Sequence, residues 1–177
     1  MATWTITGSG GNKSESFQNG DGVGLQVGDS SQEPSGFIGS PLTKATFSIS
    51  YTNGKPSGNM VCYHWASNGD TKATSDSINM TELTSSYEDY EFTFSTPAEL
   101  AANDVIGVEM PYASTGSWDY NFQGSNSAGS AMVTFTISAG TPSFSGVITN
   151  KCPLRSFTYG STDSTVTIPP PVAMVSI

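Results

Sequence analysis

LTKATFSISYTNGKPSGNMVCYHWAS, residues 42–67, carries the alternation that decides the fold. Over residues 42–51, Ala45, Phe47 and Ile49 alternate with Thr46, Ser48 and Ser50, the period of two that gives a strand one buried and one wet face. Asn53-Gly54 and Pro56-Ser57-Gly58 then turn the chain by supplying positive-φ and fixed-φ positions. Residues 60–66 form a second strand. Met60, Cys62 and His64 share one of its faces, and Val61, Tyr63 and Trp65 the other. Both faces are largely apolar, so this strand is central or covered from outside. Further on, residues 90–95 place Tyr90, Phe92 and Phe94 together, and residues 105–110 place Ile106, Val108 and Met110 together. The pattern predicts an all-β chain folded as an antiparallel two-sheet β-sandwich with essentially no helix, and a core of Phe47, Ile49, Phe92, Phe94, Ile106, Val108 and Phe135.

Working outward, residues 3–7 read as a short strand with Trp4 and Ile6 inward, residues 8–21 as a polar loop, and residues 23–27 as a strand. Residues 30–36 are a loop. After a turn at 111–117, Trp118, Tyr120 and Phe122 alternate with Asp119 and Asn121. Residues 131–138 alternate strongly, and 144–149, 154–159 and 165–168 are shorter β-prone pieces. Residues 1–168 thus form a single sandwich domain. Pro169-Pro170-Pro171 is a stiff polyproline spacer that cannot continue a central strand. Beyond it Val172, Met174, Val175 and Ile177 make an uncharged apolar end. Residues 169–177 read as a C-terminal interaction arm that adds to a neighbouring sheet edge.

The string GKPSGNMVCYHWAS (54–67), followed by LTSSYEDYEFTFSTPAELAANDVIGVEM (83–110), resembles a jelly-roll β-sandwich module common in phage, archaeal-virus and extracellular microbial proteins. The shared marks are the Gly-x-Pro-x-Gly-Asn turn on Gly54 to Asn59, the Leu-x-x-x-Tyr segment on Leu83 to Tyr87, the aromatic pair Phe92 and Phe94, and the turn on Leu100 to Asp104. Two positions depart from the pattern. His64 stands where an aliphatic core residue is expected, and Asn103 where glycine is expected. An inward His64 needs a partner. The resemblance implies a jelly-roll type of sandwich. It leaves function open among particle building, adhesion and glycan binding, because folds of this kind serve all three.

Composition narrows the classes. Charged residues are 12% of the 177, with six Lys and Arg against 15 Asp and Glu, a net charge of −9. No basic patch exists to displace phosphate counterions, and an acidic chain is repelled by anionic lipid, so neither nucleic acid nor membrane is an expected partner. No basic and apolar leader precedes the first strand and no run has the length of a membrane-spanning helix. With only Cys62 and Cys152, a disulfide framework is not the design; a single bridge between them is the alternative, and two buried thiols are the simpler reading.

The chemistry-bearing residues are few. His64 is the single histidine, sits in mid-strand, and has no Gly-x-Ser-x-Gly elbow beside it, so a hydrolytic triad is rejected. Cys62 and His64 at i, i+2 lack the further ligands a zinc site needs. Glu91 and Glu109 would lie nearly opposite one another if their strands formed a hairpin, and could then act as a glycosidase pair, hold a cation, or simply face solvent. Asp21, Asp29, Asp70, Asp76 and Asp119 lie near turns, where Asp is favoured for local hydrogen bonding and where a structural Ca²⁺ is a further alternative. No other cofactor or metal is expected, and the chain is read as not an enzyme. Tyr63, Trp65, Trp118 and Tyr120 form aromatic stripes suited to a protein interface or to stacking on sugars. The leading expectation is a non-enzymatic structural protein of a viral particle, with phage foremost: a decoration, cement or fibre-type protein made without a signal peptide and resident in the virion. It would act through contacts with itself, as a homo-oligomer with a trimer favoured, and with other virion proteins. The alternative is an extracellular carbohydrate-binding or adhesion module working on surface glycans.

Overall fold

The computed structural model describes residues 1–5, 13–17, 21–28, 33–53, 57–110, 119–124, 131–138, 141–149 and 154–160. They form thirteen strands: β1 (Ala2–Thr5), β2 (Lys13–Phe17), β3 (Asp21–Gln26), β4 (Leu42–Asn53), β5 (Asn59–Trp65), β6 (Thr71–Thr74), β7 (Ile78–Asn79), β8 (Glu88–Thr93), β9 (Val105–Glu109), β10 (Asp119–Gly124), β11 (Ala131–Ser138), β12 (Thr141–Thr149) and β13 (Leu154–Tyr159). One short 3₁₀ turn, Met80–Glu82, interrupts them. Every pairing is antiparallel, and two sheets face each other across one hydrophobic core. The fold is an all-β sandwich, as the alternation predicts.

In the first sheet, β4 is the spine. Ala45 pairs with Phe92 of β8 on one side and with Phe157 of β13 on the other. Further along, Ser48 pairs with Asp89 of β8 and Gln123 of β10. The twelve residues of β4 are long enough to carry β13 and β10 in succession on the same side. Beyond them, β1 pairs β13 and β2 pairs β10. The second sheet runs β12-β11-β3-β9-β5-β6, with β7 beside the start of β5.

Core packing follows the alternation. Phe47, Ile49, Phe92, Ile106 and Val108 are fully buried and Phe94 nearly so. Phe135 lies on β11, whose side chains are outside the described residues. At one end Trp4, Phe37, Phe157 and Tyr159 form an aromatic cluster, with Phe37 ring centroids 5.2, 5.4 and 5.1 Å from the other three. Such edge and tilted pairs add stabilisation beyond the area they bury. Phe37 lies in the connection between β3 and β4, so no strand alternation announces it.

Two expectations change, one strand is added, and one conditional pairing is resolved. The stretch 8–21 contains the strand β2, because Lys13–Phe17 borrows its ladder from β10 and needs no apolar face of its own. Thr71–Thr74, a stretch the alternation leaves unassigned, is also a strand, β6, held by β5. Ser48 and Ser50, expected on a wet face, are buried on a strand that is flanked on both sides. β8 and β9 are successive in sequence but belong to different sheets, so the condition under which Glu91 would face Glu109 is not met. Glu91 lies beside Thr46 and pairs with Lys44 Nζ at 2.6 Å on the surface. Glu109 lies between Gly22 and Val61.

Candidate functional site

The crossover from β8 to β9 brings together the most polar buried group among the described residues. His64 stands on the inward face of β5, between Ile106 of β9 and Ala73 of β6 in register, and its side chain is fully buried. A neutral imidazole in that position needs a hydrogen-bonding partner. Asp104, the last residue of the crossover, supplies it: His64 Nε2 lies 2.7 Å from Asp104 Oδ2. With the carboxylate ionised, Nε2 carries the proton and donates.

The same oxygen accepts two more bonds. Lys72 Nζ of β6 donates to Asp104 Oδ2 at 2.7 Å, and the Ala101 N–H donates to it at 2.8 Å. Lys72 also donates to the Glu99 carbonyl at 2.5 Å. The backbone completes the arrangement, since Val27 N–H donates to the Asp104 carbonyl and Asn103 N–H to the Val27 carbonyl, each at 2.8 Å. The turn that aims Asp104 inward requires a positive φ at Asn103, 68°. Asn tolerates this left-handed conformation better than other non-glycine residues, which explains why it can occupy the glycine position of the pattern.

Electrostatics match the geometry. Burial pushes the His64 imidazole below its ordinary 6.5, the Asp104 bond and charge pull it back up, and the Lys72 charge lowers it. For Asp104, burial alone would raise the carboxyl, yet the bonds from Lys72, the Ala101 N–H and His64 outweigh it and hold it below the ordinary 3.8. His64 Nδ1 is buried with no hydrogen-bond partner among the described residues. Cys62, two residues before His64, is a free, fully buried thiol whose pKa burial raises well above 9.0. The thiolate needed for nucleophilic attack is therefore disfavoured. A His–Asp pair whose imidazole is fully buried and whose carboxylate is 4% exposed, with each close donor drawn from the surrounding strands and crossover, is suited to holding strands together.

The aromatic candidates have different surroundings. Tyr63 is half-buried and stacks on Trp65 with centroids 4.9 Å apart at 17°. Trp65 is only 1% exposed; it packs with Val105 and meets Phe144 of β12 edge-on at 5.9 Å. Burial first, and then the neighbouring Glu109 carboxylate, hold the Tyr63 phenol above its ordinary 10.0. Tyr63 is thus the ring of this pair that reaches solvent. Tyr120 lies on β10 between Tyr51 and Phe17 in register, with its side chain outside the described residues. Trp118 and the arm residues Val172, Met174, Val175 and Ile177 lie outside the described residues altogether.

Among the loop aspartates, Asp70 closes an Asx turn: its N–H donates to Asn68 Oδ1 at 3.1 Å and its carboxylate accepts from Asn68 Nδ2 at 2.7 Å. Asp76 is exposed, Asp21 and Asp119 are placed as backbone alone, and Asp29 lies outside the described residues. Among the described residues no three His, Cys, Asp or Glu side chains gather as a metal site, and no helix is long and apolar enough to cross a membrane. Sequence reading found His64 and its need for a partner but missed Asp104 and Lys72. The available signal was a turn ending in Asp immediately before an apolar strand. Comparison with protein-family models, curated proteins and solved structures finds no match to this chain.

Proposed function

We propose that this chain is a non-enzymatic structural protein of a viral particle, with phage foremost. It is a decoration, cement or fibre-type unit built on a jelly-roll type of sandwich and acting through protein–protein contacts. The observation that supports a non-catalytic role is the His64–Asp104–Lys72 group. Its imidazole is sealed from solvent, and its carboxylate is engaged by three donors from β5, β6 and the crossover itself. The particle assignment rests on the sequence resemblance and on the apolar stretch behind Pro169-Pro170-Pro171. That stretch works as an arm that adds to a neighbouring sheet edge, and the unit assembles as a homo-oligomer, a trimer first.

Light scattering on the intact chain tests this, with a trimer expected. A chain ending at Ile168 should keep its β-rich circular dichroism and lose assembly. A monomeric intact protein that unfolds on the same truncation overturns the reading.

A second reading, a glycan-binding or adhesion module, is favoured by the Tyr63 ring held flat against Trp65. Stacking on a fixed aromatic ring is a common way to hold a sugar's apolar face. Glycan-array binding that is lost in a folded Tyr63→Ala variant would establish this alternative over the particle role.

A further inference from the structure

We propose that the His64–Asp104–Lys72 group is an acid-sensitive latch: protonation of His64 releases the β8–β9 crossover locally while the two sheets stay folded. The geometry concentrates three structural elements on one oxygen. His64 comes from β5, Lys72 from β6, and Asp104 with the Ala101 N–H from the crossover. The crossover is held to β3 through the exchange of bonds between Val27 and residues 103 and 104. Loss of the Asp104 anchor therefore loosens one specific connection and the ends of β3 and β6.

The groups around His64 leave a second charge poorly accommodated. On its own face of β5 the nearest ionisable group is Cys62, buried and neutral, while Tyr63 stands on the opposite face. Its register partners Ile106 of β9 and Ala73 of β6 carry no charge. From β6 comes the Lys72 ammonium, already on the same carboxylate oxygen, and from the crossover comes Asp104. Among the described residues, His64 and Asp104 are the buried groups of the sandwich that carry a formal charge or gain one on acidification. When His64 gains a proton, two cations compete for Asp104 Oδ2, and the new Nδ1–H is a donor in a site that offers it no partner among the described residues. Opening the crossover lets both charges reach water. Burial holds the imidazole below its ordinary 6.5 when the latch is closed, so the open form binds the proton more tightly and acid favours it.

Amide hydrogen exchange of the full chain, corrected for intrinsic rates, tests this between pH 7.5 and pH 5, a range chosen to straddle the ordinary histidine value. The amides of Val27, Ala101 and Asn103 should lose protection by up to about tenfold per pH unit below that value, as release coupled to one proton requires. The amides that pair β4 with β8 should hold their protection over the same range. In His64→Gln, which cannot titrate, the three reporter amides should show no such slope. Loss of protection in all strands together would overturn the latch, because it would mean global unfolding. An unchanged slope in His64→Gln would overturn it as well, and so would flat protection in the unaltered protein, a result that does not depend on how the variant folds.

Discussion

Asp104 is the residue on which the interior polar chemistry turns. One of its oxygens accepts from an imidazole, an ammonium and a backbone amide, and its side chain is 4% exposed. Removing a partner from a buried charged set is costly because the remaining groups stay desolvated without compensation. Asp104→Asn should lower unfolding free energy by about 3–5 kcal/mol in urea titrations. A loss below about 1 kcal/mol would mean that Lys72 and His64 find other partners. The pH dependence carries a definite sign. His64 lies below its ordinary value in the folded chain, so the unfolded chain binds its proton more tightly and stability falls as pH drops from 6.5 toward the depressed folded value. Asp104 also lies below its ordinary value; its contribution is complete above 3.8 and is lost as pH falls through its folded value. Both groups make acid destabilising, in two separate windows. Thermal melts should show the upper window in the unaltered protein and lose it in His64→Gln; a midpoint constant between pH 7.5 and pH 5, the span used for exchange, would contradict the assignment.

Strands differ in what holds them, and that difference sets which substitutions matter. Phe94 is 3% exposed at the end of β8, and Phe94→Ala should remove about 3–5 kcal/mol of stability. Gly24 of β3 shows the opposite constraint, since a Cβ added there would lie 2.5 Å from the Ile106 carbonyl oxygen on the adjoining β9. Backbone on both sides cannot yield cheaply, so Gly24→Ala should destabilise by about 1–3 kcal/mol despite the higher strand propensity of alanine over glycine. Wild-type stability in Gly24→Ala would show that the strands part readily at this point. Elements with their own alternation, such as β4, β5, β9 and β13, were legible in the sequence. Those defined by a neighbour, β2 and β6, were not, because the sequences of Lys13–Phe17 and Thr71–Thr74 show no run of alternating large apolar residues to read. The same limit applied to the site. His64 was visible as a polar residue among apolar ones. Its partners were not, since Asp104 reaches it only through the sheet-to-sheet crossover and Lys72 only through a strand that the pattern does not reveal.

At the scale of the whole molecule, successive strands repeatedly change sheet, as β3, β4 and β5 do, then β8, β9, β10 and β11. The outer edge of β8 carries no strand among the described residues, and its exposed Glu88, Asp89 and Glu91 guard it, since charge on an edge strand discourages edge-to-edge association. Distant pairing has a kinetic signature. Refolding should take milliseconds to seconds, in the range of all-β domains rich in non-local pairs. Stopped-flow refolding completed in microseconds would argue against this topology. The most distant of these pairs joins Ala2 to Tyr159, and it buries Trp4 beneath Phe157. During synthesis at about 5–20 residues per second, the first strand must wait roughly ten to thirty seconds for its partner to leave the ribosome. Throughout that interval Trp4 lacks the Phe157 ring that stacks on it in the folded protein. β1 is thus set in place only once β13 has been made, so the late emergence of β13, more than the early emergence of β1, times the closing of this sheet.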